Sequence, residues 1–345
     1  MRAEPAVSAA RALDRARRFL VSAQRATGEL PVERTAYDDS GKERSVEPDS
    51  SPFLTAFAVL GLCADDSREA HEVRARAVTF VESQREWPGV WRFWGRGMTV
   101  SVPPDLDTTS VCQTLLAREG RASRSIAWLY RRSRDRTGRF RTWLTPGNIR
   151  TLHPVYWLLM LRELHPSRLI LVWRTTSAHR RDRDVVVNAN VVTFLGDGAT
   201  TDGAIRWIIE TVQSGEEETR DKWYHDREVL YLAIGRAYAG GVRRFDLVSD
   251  LISRRVAERT SPEGDIAGSA LRTAMGAAAM LHLGLPRTTV ERAIAWLVDA
   301  QDADGGWPSA PLHYGGPGRA RSWGARAVTT ALVVEAIALY ESSHA

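Results

Sequence analysis

The feature that most constrains this chain is a recurring pair of unlike helices. An amphipathic segment ends in a polar, glycine-bearing turn, often with an aromatic residue, and a nearly all-apolar segment follows. Residues 8–25 lead to Gly28, and an apolar helix covers 52–63. Residues 68–85 lead to Trp87, Pro88, Gly89 and Trp91, and the next helix opens at Asp105. Residues 122–134 lead to Gly138, Phe140 and Trp143, with a helix predicted over 152–164. Residues 202–213 lead to Trp223 and Tyr224, then 226–239; residues 246–259 lead to Gly264, then 268–283. Residues 288–301 lead to Gln301-Asp-Ala-Asp-Gly-Gly-Trp307, then a last helix over 325–340. A helix apolar all round must be covered on every side, so alternating covered and covering helices predict two concentric layers. One further helix, Asp184 to Leu195, has no clear outer partner. Strand signals are almost absent, and the polar segment 39–50 reads as a loop. The expectation is an all-α fold: an α/α toroid of six to seven helical hairpins, with 1–345 as a single domain.

Composition narrows the function classes. The chain is 43% hydrophobic and 26% charged over 345 residues, an ordinary soluble balance. Net charge is +5, but basic and acidic residues interleave, so no nucleic-acid-binding stripe is expected. Only Lys42 and Lys222 are lysines; the arginine excess reads first as codon usage, and second as a source of bidentate carboxylate or phosphate pairing. Cys63 and Cys112 sit in apolar helical runs, which excludes a disulfide framework or a cysteine-based zinc site. No leader segment and no run of about 18 apolar residues is visible, so a cytoplasmic protein without a transmembrane segment is expected.

The stretch with chemical content is Val102-Pro-Pro-Asp-Leu-Asp-Thr-Thr-Ser110. Pro103 and Pro104 keep the chain extended before Asp105, and the apolar spacing after Asp107 is helical. The cluster therefore lies at a helix N-terminus. Asp, Ser and Thr there cap free N–H groups, and one Asp with one Thr suffices for that. A second Asp two residues away adds like-charge repulsion, which raises one pKa. A carboxyl kept neutral near pH 7 is a proton donor. Spacing alone leaves capping and acid catalysis side by side, with capping the commoner job.

Two motifs resemble a known family. Gln301-Asp-Ala-Asp-Gly-Gly-Trp307 resembles the Gln…Gly-Trp repeats of the squalene-hopene and oxidosqualene cyclase superfamily. Trp91-Arg-Phe93 followed by Pro104-Asp-Leu-Asp-Thr-Thr-Ser110 resembles the catalytic stretch of those class II terpene cyclases, written Asp-X-Asp-Asp-Thr or Asp-X-Asp-Thr-Thr. The resemblance implies that Asp107, the middle acid, protonates a C=C bond or epoxide of an isoprenoid, a polyprenyl diphosphate or polyene. It implies that Asp105 and Thr108 tune and orient it. Thr108 replaces the third acid of the triterpene form, which argues against a squalene-type substrate. Family sites usually lie between two barrels, whereas this chain has length for one. That leaves open a smaller substrate, a different or lost chemistry, or a partner subunit that supplies the missing wall. The resemblance implies no redox cofactor, and magnesium only for a diphosphate substrate.

Other candidates follow. Asn188 and Asn190, two apart, do not share a helix face; each reads first as a structural hydrogen-bonder, and second as a group that positions Asp107 or substrate. Asp265 reads as an N-cap. Twelve tryptophans gather near turns, mostly as packing wedges; Trp91, Trp94 and Trp307 are the candidates for a cavity wall that stabilises a cation. Asp65-Asp66 reads as a solvated turn rather than a magnesium motif, and the histidines lack metal-ligand spacing, so no metal site is expected. Two other functions stay beside the cyclase: a non-catalytic toroid that binds an isoprenoid, lipid or protein partner, and a carboxylate-dependent hydrolase or lyase on an α/α barrel.

Overall fold

A computed structural model describes residues 5–96, 102–122, 126–145, 154–163, 176–179 and 181–342. Six helices stand side by side as an inner ring: α2 (Pro52–Val59), α4 (Leu106–Arg118), α7 (Val185–Leu195), α10 (Arg227–Ala239), α12 (Ala270–His282) and α14 (Arg326–Ser342). Each packs on the next, and α14 returns to α2 and closes the ring. Preceding them in sequence are α1 (Pro5–Ala23), α3 (Arg68–Ser83), α5 (Ala127–Arg132), α8 (Asp202–Ser214), α11 (Asp246–Arg259) and α13 (Glu291–Asp299). The inner helices are buried almost all round: every residue of α2, and Leu106 to Leu116 of α4. The result is the all-α toroid of six hairpins. Two short helices, α6 (Pro154–Glu163) and α9 (Glu217–Arg220), lie between them in the chain.

The turns show why the ring closes at a fixed spacing. Gln24 donates to the Gly28 carbonyl at 2.7 Å and to Val73 of α3 at 2.9 Å. Gln301 does the same to Gly305, and to Ala12 of α1, both at 2.9 Å, which ties the last hairpin to the first. Both glycines have positive φ, and a Cβ there would meet a backbone oxygen of the next outer helix: Arg76 O at 2.1 Å from Gly28, Arg15 O at 2.5 Å from Gly305. Trp91 and Trp307 occupy equivalent wedges. Each indole N–H donates ten residues back to an outer helix, to Val81 O at 2.7 Å and Leu297 O at 2.8 Å.

Three expectations are corrected. The third inner helix is α7, not residues 152–164. Both runs are helix-long and apolar, so periodicity does not rank them, but Asp184 caps two N–H groups of α7 and starts it at the same end as the other inner helices. Helix α6 stands outside the ring with Trp157, Leu158 and Leu161 exposed. Next, residues 39–50 are not simply a loop. Strands β1 (Val32–Tyr37), β2 (Glu43–Asp49), β3 (Pro311–Gly315) and β4 (Arg321–Gly324) form an antiparallel sheet in the order β2-β1-β4-β3. Its residues are polar because one face is solvated, and Pro48 is tolerated because β2 is an edge. The β1–β4 pairing, Glu33 opposite Gly324, joins opposite ends of the chain, which no local pattern reveals. Last, Asp265 does not cap α12. Ser269 does, accepting from Arg272 N, while Asp265 accepts from Ser261 Oγ and Gly268 N in the preceding turn. Among the described residues no helix is long and apolar enough to cross a membrane.

Candidate active site

Helix α4 begins at the end of the ring where the inner helices have their N-termini. The two aspartates there have different partners. Asp105 is the N-cap: its carboxylate accepts from Thr108 N at 2.6 Å and from Thr108 Oγ1 at 3.0 Å. Asp107, inside the first turn, caps nothing. Asn190 Nδ2 of α7 donates to its Oδ1 at 2.8 Å, and the Tyr224 hydroxyl donates to its Oδ2 in a short hydrogen bond. Asn188, on the other side of α7, instead pins Phe140 through both backbone groups, at 2.8 and 3.0 Å, and bonds Asp184 O at 2.8 Å. Tyr224 is set by Asp221, whose carboxylate accepts from the Trp223 and Tyr224 amides at 3.0 and 2.8 Å.

Asp105 and Asp107 face a pocket that opens to solvent. Its wall is mainly aromatic. Phe93, Trp94 and Trp323 stand on one side, their rings 5.2–5.8 Å apart in edge-to-face pairs. Asp49 fixes two of them by accepting from the Trp94 and Trp323 indoles at 3.2 and 2.8 Å. Trp143 and Trp223 form a second T-shaped pair at 5.7 Å. His313 and Trp323 come from β3 and β4, so the sheet is part of the wall. Of the sequence candidates, Asp105, Asp107, Thr108 and Trp94 line the cavity. Asn190 reaches it through Asp107, and Asn188, Trp91 and Trp307 are not among the lining residues.

Burial governs the electrostatics. It raises Asp107, and the neighbouring Asp105 raises it further, against the lowering effect of Tyr224 and Asn190; the carboxyl is pushed up to about 8. Burial pushes Asp105 up to about 7, against its bonds to Thr108. Asp107 is thus mostly neutral at pH 7, yet two donors wait for the carboxylate that forms when its proton leaves. Among the described residues, no three His, Cys, Asp or Glu side chains converge as metal ligands.

Sequence reasoning places Trp143, Trp223 and Tyr224 in the turns but gives none a partner, and it finds no ligand spacing among the histidines. The one local signal for Tyr224 is its place in the turn before an inner helix, two residues ahead of Asp226, which stands where Asp105 does.

The sequence matches no protein-family model and no curated protein. Solved structures do match. A protein from Actinoplanes aligns at TM-score 0.70 and 19% identity, over 96% of this chain and 99% of that one. The type II terpene cyclase MstE from Scytonema, in complex with geranylgeranyl dihydroxybenzoate, aligns at TM-score 0.66 and 16% identity, over 98% and 99%. A possible member of the GH105 family from Klebsiella pneumoniae aligns at TM-score 0.54 and 13% identity, over 100% and 95%. At these identities the likeness is one of fold alone, a fold like that of the solved type II terpene cyclase and of the possible GH105-family member.

Proposed function

We propose that this protein is a class II terpene cyclase-like enzyme in which Asp107 is the general acid. The observation that carries the reading is a buried, neutral carboxyl, held at both oxygens, opening into an aromatic-walled cavity. Asp107 hands its proton to a terminal C=C bond of a folded isoprenoid. The O–H bond breaks, a C–H bond forms, and the positive charge passes along the chain as further C=C bonds close rings. Asn190 and Tyr224 stabilise the carboxylate left behind. Asp105 raises the Asp107 pKa by its charge, and Thr108 keeps Asp105 in place. Trp94, Trp323, Trp143 and Trp223 offer π faces to the cation and keep water away. The solved cyclase neighbour, named with a geranylgeranyl substrate, supports an isoprenoid of that class. A sugar-hydrolysing reading fits less well, because the wall has few polar groups and both Asp105 oxygens are committed to Thr108. No redox cofactor enters this scheme, and magnesium matters only for a diphosphate head group.

The test is incubation with farnesyl diphosphate, geranylgeranyl diphosphate, geranylgeranyl dihydroxybenzoate and squalene, with products read by mass spectrometry. Cyclic isomers of unchanged mass are expected from at least one prenylated substrate. The rate should fall as pH rises through about 8, by about tenfold per pH unit well above it, because only the protonated carboxyl initiates. A rate that rises across that range contradicts an acid at position 107.

A further inference from the structure

We propose that His313 is the base that ends the reaction, taking the proton that the last carbocation loses; this rests on the cyclase reading above. His313 lines the cavity that holds Asp107. Five rings surround it: Phe93 at 4.5 Å, Tyr224 at 5.4 Å, Trp323 at 5.7 Å, Phe53 at 6.0 Å and Trp223 stacked at 6.1 Å. Its Nδ1 is buried with no hydrogen-bond partner among the described residues. A buried nitrogen left unpaired carries a cost that packing alone does not explain, since phenylalanine would fill the same aromatic cage without it.

The electrostatics agree with the geometry. Burial, with a smaller contribution from His225, lowers His313 to about 3, while burial and Asp105 raise Asp107 to about 8. In water an aspartate ionises first and an imidazole holds its proton longer. Here the order is reversed: at neutral pH the carboxyl carries the proton and the imidazole does not, so one chamber holds an acid and a base together. Weak basicity is no obstacle, because a carbocation is a far stronger acid than an imidazolium; placement decides. Among the described lining residues His313 is the one titratable group other than Asp105 and Asp107. Both Asp105 oxygens are taken by Thr108, and both Asp107 oxygens by Asn190 and Tyr224.

The balance closes without a co-reactant. A C–H bond next to the final cation breaks, its electron pair becomes a new C=C bond, and the proton goes to the imidazole. The imidazolium, destabilised by burial, releases that proton to solvent, and Asp107 regains one, so the net change is isomerisation.

The test is His313→Phe, which keeps an aromatic ring and removes the nitrogens, assayed on the same four substrates beside Asp107→Asn. Substrate consumption should persist, with the parent alkene's share of product at least ~10-fold lower. Alcohols from water capture, or alkenes with a shifted double bond, should replace it. If His313→Phe does not fold by circular dichroism, His313→Gln, which restores a polar group but not an imidazole base, is expected to give the same redistribution. An unchanged alkene in unchanged proportion from a folded variant overturns the role of His313 and leaves Asp107 standing as the acid. Turnover by Asp107→Asn at the parent rate overturns the cyclase reading itself.

Discussion

Asp107→Asn is expected to abolish product formation, by about 10³-fold or more, while the folded protein persists and still binds its isoprenoid. The magnitude follows from the role: a positioned general acid contributes about 10²–10⁴-fold, and Asp105, the other acid on the wall, is committed to capping α4. The substituted side chain retains a carbonyl that accepts from Asn190, and its amide can donate to the Tyr224 oxygen. The local network therefore survives while the transferable proton does not. A second consequence separates this loss from unfolding. The Asp107 pKa is raised in the folded state, so between about 4 and about 8 the folded protein holds more protons than the unfolded chain. Stability from this group is fully present below the unfolded pKa and is lost as pH rises through about 8. Asparagine does not titrate. Thermal melts should therefore show a gap in favour of Asp107→Asn that widens from pH 5 to pH 8. Lost activity together with raised stability at pH 8 is the signature of a site residue held at a cost to the fold. Binding that persists with unchanged turnover would instead identify a non-catalytic isoprenoid-binding toroid.

The ring was legible because its cause is local. Gln24 and Gly28, then Gln301 and Gly305, repeat one hydrogen-bond device at both ends of the chain, and a self-similar turn can be read without coordinates. The sheet was not legible because its cause is remote. Glu33 pairs with Gly324, and the polar run 43–49 is a strand only because β1 lies beside it. The choice between 154–163 and 185–195 for the third inner helix failed for a related reason, since both runs are apolar and long enough for a helix. The cap supplied by Asp184 was the better signal. It sits where Asp105 and Ser51 sit in their own repeats, just before an inner helix.

The site divides in the same way. Two acids before a helix marked the place, and spacing alone left two jobs for them. The structure gives the capping to Asp105, which takes the Thr108 amide, and turns Asp107 to partners far along the chain. Tyr224 lies 117 residues from Asp107 and Asn190 lies 83 away. Only ring closure, which sets α4 beside α7 and α7 beside α10, makes them neighbours. Trp91 and Trp307 mislead for an instructive reason. A tryptophan near an acidic motif suggests a wall, yet the repeat uses that position as a wedge, and the wall is assembled from Trp94, Trp143, Trp223 and Trp323. Length also reads differently with the fold in hand. The aligned cyclase from Scytonema is covered over 99% of its chain, so the two folds are alike in extent.

At the opposite end of the ring, Glu335→Ala is expected to destabilise the protein by about 3–5 kcal/mol, the largest stability loss predicted for a single side chain. Glu335 of α14 is buried and accepts from Arg236 Nε and Nη2 at 2.9 and 2.6 Å, and it lies 2.9 Å from His282 Nε2. These contacts join α10, α12 and α14. Arg236 also donates to Phe57 O at 3.2 Å and lies over the Phe57 ring, which brings in α2. Burial alone would raise the Glu335 pKa, but Arg236 and His282 together hold it down to about 2. A depressed carboxyl stabilises the fold above its unfolded pKa, so this contribution is present at neutral pH and is lost as pH falls from about 4.5 through about 2. Removing the carboxylate leaves a buried guanidinium without its anion, which costs more than losing the pair as a whole. The double variant Glu335→Leu with Arg236→Met should therefore be more stable than Glu335→Ala alone in urea unfolding. Equal losses in the two would mean that the pair contributes by packing rather than by charge. Because the network lies at the end away from Asp107, the folded fraction of either variant should give the parent product pattern. A changed pattern would show that the ring transmits strain from its far end to the cavity.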